Sequence, residues 1–334
     1  MNPPFFSVII PTFNRRDTVC QVIDRLTQQQ SVPGGFEVIV VSDGSTDGTG
    51  DMLRGLSTPF SLRVVEQENE GASRARNAGA RLAVGAYLAF TEDDVQPATD
   101  WLAKAYALLL NKNLDMLEGR TEYAEGGGSV RRFEPPGIPS FIPCNLFIRK
   151  ECFTAVGGYE GAFFDRKAGL YFREDADLGF RLLDKGFSMY IAPDVRVTHP
   201  QQFGSLHAAM RHARRYQFDP LLYKRHPRRY RDLIEVKRIA GFSIHRPQHG
   251  VALIAGVAAL ITVGAAAVGS WAAMVGALTV MLGCGAVFRF KYQGRQAFSM
   301  NGIPTTLAFT IVPFIYLGAL LRGCARYRTI GVLW

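Results

Sequence analysis

The chain has 334 residues, 48% of them hydrophobic and 20% charged, with a formal net charge of +9 and five cysteines. That composition excludes a disordered chain, and that length excludes a miniprotein that needs staples to fold. The cysteines (Cys20, Cys144, Cys152, Cys284, Cys324) form no CxxC and no regular spacing, so neither a disulfide framework nor a zinc site is expected. The charge is split. Residues 1–200 carry 21 Lys/Arg and 26 Asp/Glu, net −5, whereas residues 201–334 carry 17 and 3, net +14. A basic excess points to nucleic acid, an acidic membrane or an anionic substrate, and here it belongs wholly to the C-terminal part.

Met1 to Asn14 has no basic start and too short an apolar run for a secretory signal, which predicts a cytoplasmic N-terminus. Phe5–Ile10 is a β-rich run ended by Pro11. Arg15–Gln30 reads as a helix, and Phe36–Val41 as a strand followed by the polar turn Ser42–Ser45. Leu62–Glu66 reads as a short strand and Ala72–Val84 as a helix. Ala86–Thr91 reads as a strand, followed by Glu92-Asp93-Asp94 and a helix to about Leu110. This alternation predicts a mostly parallel α/β sheet, in which ligands bind at the carboxyl ends of the strands. The polar clusters Thr12–Asn14, Ser42–Asp47 and Glu92–Asp94 each follow a strand, so they converge on one edge. No GxGxxG and no GxxxxGK[ST] occurs, which argues against a dinucleotide fingerprint and a P-loop.

From Gly250 to Phe288 there is no charged residue, a run of 39. A crossing helix needs roughly 20 apolar residues, so the run fits a hairpin, about 250–268 and 271–288, turning at Gly269-Ser270. A second uncharged run, Gln296 to Leu321, predicts a third segment near 303–321, with Pro304 at its start and Pro313 as a kink. Residues 201–246 hold 11 Lys/Arg against 3 acids, which places that side in the cytoplasm. A full third crossing exports Arg322, Arg326 and Arg328; a re-entrant segment keeps them inside. Three crossings are the favoured reading. The expected organisation is a catalytic domain over 1–200, a basic amphipathic juxtamembrane segment over 201–248, and a transmembrane region over 249–334. The expected location is the inner (cytoplasmic) membrane, multi-pass, with the catalytic domain cytoplasmic.

Three features carry chemistry. Clustered carboxylates at a strand end, Glu92-Asp93-Asp94, suit a hard divalent cation that neutralises a diphosphate; the alternative is a solvated acidic loop. Glu174-Asp175 opens an amphipathic helix reaching about Lys185, whose apolar side is Leu178, Leu182 and Leu183. Acids there suit the helix dipole, and equally a general base that removes a proton from an acceptor hydroxyl. His199 ends the strand-like Val195–Thr198, as a structural histidine, a metal ligand or a phosphate contact.

With the N-terminal text, these features resemble the family 2 glycosyltransferases of GT-A fold (Rossmann-like), in particular the membrane-anchored bacterial, inverting members. Ser7-Val8-Ile9-Ile10-Pro11-Thr12-Phe13-Asn14-Arg15 resembles the opening strand and nucleoside loop. Val40–Asp47 resembles the second-strand motif, although Ser42 stands where the family commonly has a first acid. Asn69–Asn77 resembles the glycine/arginine/asparagine segment lining the donor. Glu92-Asp93-Asp94 stands where the DXD motif stands, with Glu in first place, and Glu174-Asp175 and His199 match the family's acidic motif and late histidine. The resemblance covers about residues 5–200. It implies a nucleotide-diphosphate sugar, UDP by default, with Pro11, Thr12, Phe13, Asn14, Asp43, Arg74, Asn77 and Asp93 on the donor. It implies Mg2+ or Mn2+ on Asp94, Asp93 and His199, and Asp175 as the base with Glu174 orienting. Gly137–Asn145 and the loop Gly157, Gly158, Tyr159, Glu160 should border the acceptor.

Residues 207–246 interleave Arg211, Arg214, Arg215, Lys224, Arg225, Arg228, Arg229, Arg231, Lys237 and Arg238 with Tyr216, Phe218, Leu221, Leu222 and Tyr223. Next to an apolar run this reads as an interfacial segment on anionic lipid, and nucleic acid is not expected. The implied activity is a hexosyltransferase-type transfer to a hydroxyl of a lipid-linked or glycan acceptor in cell-envelope polysaccharide biosynthesis. The alternatives are a polyprenyl-phosphate glycosyltransferase, a processive polysaccharide synthase, and a non-catalytic nucleotide-sugar-binding membrane protein.

Overall fold

The computed structural model describes residues 3–124, 130–132, 138–200, 204–234, 236–239, 242–293, 302–330 and 332. Two compact units are present, Met1–Gln201 and Gln202–Trp334.

In the first unit, β1 (Phe6–Thr12) is buried along its whole length, and β2 (Phe36–Asp43) along all but its first residue. Strands covered on both faces read as continuous apolar runs, as these do. Between them α1 (Arg16–Thr27) buries Val19, Val22, Ile23 and Leu26, one helical stripe. The chain continues through α2 (Thr49–Arg54), β3 (Ser61–Gln67), α3 (Ala72–Leu82), β4 (Tyr87–Phe90), β5 (Gln96–Pro97) and α4 (Trp101–Asn111). Next come β6 (Met116–Ala124), β7 (Val130–Arg132), β8 (Leu146–Arg149) and α5 (Lys150–Ala155). The small hairpin β9 (Phe164–Asp165) and β10 (Leu170–Tyr171) leads to α6 (Glu174–Asp184) and β11 (Met189–Pro200).

The sheet order is β3-β2-β1-β4-β8-β6-β11-β5, with β7 on β6. The first four strands are mutually parallel. β8 then runs antiparallel to both β4 and β6, and β11 returns parallel to β6. Side chains alternate between faces with period two. Val8, Ile10, Val38 and Val40 pack with Val19, Val22, Trp101 and Leu102. Ile9, Ile39 and Val41 face the other way, onto Ala75, Ala78, Leu178 and Leu182. Helix α3 lies close to β1: a Cβ on Gly79 would stand 2.7 Å from Ile9 Cγ2. β2 and β4 flank β1 on opposite sides, so the order reverses there. The carboxyl ends of β1, β2 and β4 therefore open one crevice.

The second unit contains α7 (Leu206–Arg215), α8 (Asp219–Arg225), α9 (Pro227–Leu233), the hairpin β12 (Val236–Ile239) and β13 (Phe242–His245), α10 (Pro247–Ala267), α11 (Trp271–Gln293), α12 (Gly302–Phe309) and α13 (Val312–Tyr327). Among the described residues, three helical segments are long and apolar enough to cross a membrane: Pro247–Ala267, Trp271–Gln293 and Pro304–Tyr327. Gly269, at φ +69°, turns the first into the second. Leu260, Val263 and Trp271 are all at least 70% exposed, a surface suited to lipid rather than water. The third segment breaks at Thr310–Ile311, just before Pro313, where the sequence places a kink; a ring at Pro313 removes a helical donor and crowds the preceding turn. Its end differs from the expected 321, since α13 continues through Arg322 and Arg326 to Tyr327. The juxtamembrane segment also departs from a simple interfacial helix. Tyr216, Phe218, Leu221, Leu222 and Tyr230 are buried within this unit. The Tyr216 ring lies 4.1 Å from the Tyr316 ring, and the Tyr230 hydroxyl donates to Asp219 Oδ2 at 2.5 Å. The side chains of Lys237 and Arg238 lie outside the described residues.

Candidate active site

The loop after β1 is fastened to the loop after β2. Asn14 adopts φ +51°, its N–H donates to Ser45 Oγ at 3.0 Å, and its Oδ1 accepts from Thr46 N–H at 2.7 Å. Asp47 accepts from Arg16 N–H at 3.1 Å and from the hydroxyl and N–H of Thr49. The Thr49 hydroxyl is the main reason its carboxyl is held below the usual range. Asn14 thus shapes the loop. Pro11 and Thr12 are buried, whereas Phe13 is 47% exposed at the mouth of the crevice.

Asp43, at the end of β2, is buried and fully engaged. Oδ1 accepts from Gln67 Nε2 at 2.7 Å and Glu70 N–H at 2.9 Å, and Oδ2 accepts from Gly71 N–H at 2.8 Å. It therefore fixes the turn that starts α3. Arg74, on the first turn of that helix, is 55% exposed and paired with Glu70 at 3.2 Å.

Beyond β4 the acidic run divides its work. One nitrogen of Arg15, Nη1, bridges Asp93 Oδ1 at 2.9 Å and Asp94 Oδ2 at 2.7 Å. Burial pushes the Asp93 carboxyl up, with Arg15 opposing. Glu92 turns the other way, accepting from Arg76 Nη2 at 3.0 Å. His199 Nε2 lies 3.5 Å from Asp94 Oδ1 and 3.6 Å from Glu92 Oε2, while its Nδ1 faces the Pro200 carbonyl at 2.8 Å. Burial works against the imidazolium, but Glu92, the Pro200 carbonyl and Asp94 together hold its pKa up. Burial likewise works against the Glu92 carboxylate, and His199 and Arg76 outweigh it, so its pKa is held down.

The group the structure brings together is thus Glu92, Asp94 and His199, whose ligand atoms lie within 4.8 Å of one another. Glu92, a member of the acidic cluster read from the sequence, lies within this group, while Asp93 is paired with Arg15. The donor set fits a divalent cation. Asp94 Oδ1 is buried and has no hydrogen bond among the described residues, and two carboxylate oxygens with one imidazole suit Mn2+ or, less closely, Mg2+.

After the β9–β10 hairpin, Arg173 at φ +73° turns the chain into α6. Glu174 is buried; Asp175 is half-buried and accepts from Ala176 N–H at 2.7 Å. Burial pushes the Asp175 carboxyl up, against the backbone bond and the charges of Arg173 and Arg76. The loop before it is locked. Gly157 and Gly158 both have positive φ, and a Cβ on Gly158 would stand 2.6 Å from Asn77 Oδ1. Asn77 exchanges two bonds with the Tyr159 backbone, at 2.8 and 2.9 Å. From α6, Arg181 donates to the carbonyls of Val156 and Gly158. Tyr159 is buried with its hydroxyl unbonded among the described residues, and Glu160 is exposed. Burial raises the Tyr159 phenol strongly.

The other expected acceptor segment is mostly internal. Gly137 lies outside the described residues. Phe141 is buried at φ +57°, its N–H held by Glu118 Oε2 at 3.1 Å. Asn145 accepts from Trp101 Nε1 at 2.8 Å and donates to the Arg120 and Val195 carbonyls.

Sequence reading missed Arg15 and Arg76 as members of the site. Both stand inside the quoted motif segments, where a basic residue beside acids across the crevice was the available signal.

A family model described as "Glycosyl transferase family 2" matches residues 7–166. The glycosyltransferase AglE of Haloferax volcanii is 30% identical over 220 residues, 61% of this chain and 69% of AglE. The succinoglycan biosynthesis protein ExoO of Rhizobium meliloti is 28% identical over 195 residues, 54% of this chain and 53% of ExoO. The mannosyltransferase PcManGT from Pyrobaculum calidifontis, solved with GDP-Man and Mn2+, has a TM-score of 0.55 at 17% identity, covering 96% of this chain and 88% of that one; this likeness is one of fold. The family 2 model over residues 7–166, together with a glycosyltransferase 30% identical of which this chain covers 69%, shows that the chain belongs to glycosyltransferase family 2.

Proposed function

We propose that the protein transfers a sugar, with inversion, from a nucleotide-diphosphate sugar to a hydroxyl of a lipid-linked or glycan acceptor at the cytoplasmic face of the inner membrane. The observation that carries this is the buried Asp94 Oδ1 grouped with Glu92 and His199, with the buried Arg76 acting on both Glu92 and Asp175. A bound Mg2+ or Mn2+ would neutralise the departing diphosphate.

Pro11, Thr12, Phe13 and Asp43 border the nucleoside, with Asn14 shaping their loop. Arg74 and Asp93 reach the ribose or phosphates, and Asn77 supports the acceptor loop Gly157–Glu160. Asp175 takes the proton of the acceptor hydroxyl as that oxygen bonds to the anomeric carbon and the bond to the diphosphate breaks. A carboxyl raised by burial is a better proton acceptor than an ordinary aspartate. UDP is the proposed nucleotide; the GDP-Man of PcManGT makes GDP the first competitor.

The three apolar segments and the net +14 of residues 201–334 support a multi-pass membrane protein with its basic flank in the cytoplasm. An acceptor on a lipid carrier suits an enzyme so anchored. The name of ExoO, in succinoglycan biosynthesis, supports a role in cell-envelope polysaccharide assembly.

The test is a screen of nucleotide-sugars with the full chain in detergent, Mn2+ and a membrane-lipid extract, with products read by mass spectrometry. Transfer that Asp94→Ala abolishes is the expected result. No turnover of any nucleotide-sugar would leave a binding protein. Full activity in Asp175→Asn would remove the base and favour a phosphate acceptor, which needs none.

A further inference from the structure

Helix α3 carries two adjacent residues that reach three parts of the crevice. Arg76 is 3% exposed. Its Nη2 donates to Glu92 Oε1 at 3.0 Å, and its guanidinium centre stands 5.7 Å from the centroid of the Tyr159 ring. The charge of Glu174 also acts on it, from the base side. Its Nε is buried and has no hydrogen bond among the described residues. Asn77, the next residue, holds the Tyr159 backbone by two bonds. A guanidinium is planar, always charged and pre-organised, so a buried one fixes its neighbours more than it adapts to them.

We propose that Arg76 is a positioning residue of the transfer reaction: one buried guanidinium orients Glu92 within the metal cluster and, through Tyr159 and Glu174, the segment carrying the base. The proposal rests on the reading of Asp175 as that base. It adds something the motif does not, a mechanical and electrostatic link between the metal cluster and the segment carrying the base. Arg173 from the turn before α6 and Arg76 from α3 act on Asp175, Tyr159 from the acceptor loop lies in its field, and Glu174 precedes it in the chain. The two arginines favour its ionised form. The other two do not, since Glu174 repels a second carboxylate and Tyr159 is a neutral phenol at working pH. Removing the Arg76 charge therefore raises the proton affinity of Asp175, and the acidic limb of the pH–rate profile moves upward.

The experiment compares wild type, Arg76→Gln, Arg76→Lys and Asp175→Asn as full chains in detergent, by kcat/KM against pH and by Mn2+ titration calorimetry without donor. Arg76→Gln is expected to shift the acidic limb up by about half a unit or more. It should also weaken Mn2+ by about tenfold, the lower end of what loss of an outer-shell partner costs. Arg76→Lys keeps the charge without the fork, so its limb stays at the wild-type position while kcat falls. A wild-type limb together with wild-type Mn2+ affinity in Arg76→Gln overturns the proposal. If Arg76→Gln does not fold, Arg76→Lys decides: a limb displaced upward overturns it, and an undisplaced limb with reduced kcat supports it. Asp175→Asn separates the two ideas. Activity there removes the base, whereas an inactive Asp175→Asn beside an unshifted Arg76→Gln removes only the link.

Discussion

Asp43 makes the sharpest test of the site's construction, because its role can be worked from three bonds. Replacement by Asn keeps one oxygen and turns the other into an NH2. If the amide oxygen faces Gln67 and Glu70, the new nitrogen faces the N–H of Gly71, now held at 2.8 Å by Oδ2. A hydrogen bond to a charged group contributes about 1.5–3 kcal/mol, and a buried donor left unmet costs about 1–3 kcal/mol. The two effects overlap, so about 3 kcal/mol is a fair estimate for Asp43→Asn. For a unit the size of Met1–Gln201, each kcal/mol shifts the midpoint by about 2–4 °C, which gives a fall of about 6–12 °C. Gly71 sits at φ +90° just before α3, so the loss also frees the turn that aims Arg74 and Arg76. The assay is thermal unfolding of the detergent-solubilised chain, followed by near-UV circular dichroism, with donor KM in parallel. An unfolding midpoint within about 1 °C of wild type, less than 1 kcal/mol by the same scaling, would refute the structural role. A large KM rise at that unchanged midpoint would leave Asp43 a nucleoside contact alone.

Other outcomes follow from the same geometry. In Gly179→Ala, the new Cβ overlaps Phe141 Cδ1, and overpacking costs about 1–3 kcal/mol. Because α6 begins with the base, kcat should fall with the unfolding midpoint; a midpoint loss with unchanged kcat would show that the base end of α6 is insulated. The pH dependence has a defined sign. Burial raises Asp175 above the ordinary 3.8, so kcat/KM should fall, as pH drops, through a limb above that value. Its effect on stability runs the opposite way: the raised carboxyl favours the folded state below 3.8, and that contribution is lost as pH rises through the raised value. A limb at or below the ordinary value would refute the buried base.

The parts of the fold legible in the sequence were those in which burial imposes a period. The β-rich runs Phe5–Ile10 and Phe36–Val41 marked β1 and β2 to within a residue or two, and Arg15–Gln30 marked α1, which the structure gives as Arg16–Thr27 with Val19, Val22, Ile23 and Leu26 buried. Three apolar helices were legible because lipid leaves no polar stripe. The middle of the sheet was not. β6 carries Glu118, Arg120 and Glu122 among its apolar residues, and the buried Glu118 accepts from the backbone and hydroxyl of Ser140 and the N–H of Phe141. A strand whose charges are met by a loop some twenty residues away shows no clean alternation. The reversal at β8 is equally hidden, since pairing direction depends on which strands become neighbours.

The site shows the same division, and it explains why Arg15 and Arg76 escaped notice. Motif reading assigns the acids and Arg74 to the ligand and gives Arg15 and Arg76 no role. In this crevice three consecutive acids repel one another, and two arginines, Arg15 from the loop after β1 and Arg76 from α3, draw them apart, Asp93 toward one and Glu92 toward the other. Asp94 alone is left with an oxygen buried and uncommitted, next to His199. The spacing of Glu92-Asp93-Asp94 therefore locates the cluster but does not determine which acid faces the cation. That choice is made by charges brought in from Arg15, three residues past the end of β1, and Arg76, in the middle of α3. Exchanging the two countercharges' reach, by shortening Arg15 to Lys, should loosen Asp93 and the second oxygen of Asp94 together, because a single nitrogen holds both. Mn2+ affinity is expected to rise in Arg15→Lys as Asp94 gains freedom to use both oxygens. An affinity lower than wild type would mean that Arg15 presents Asp94 to the metal rather than restraining it.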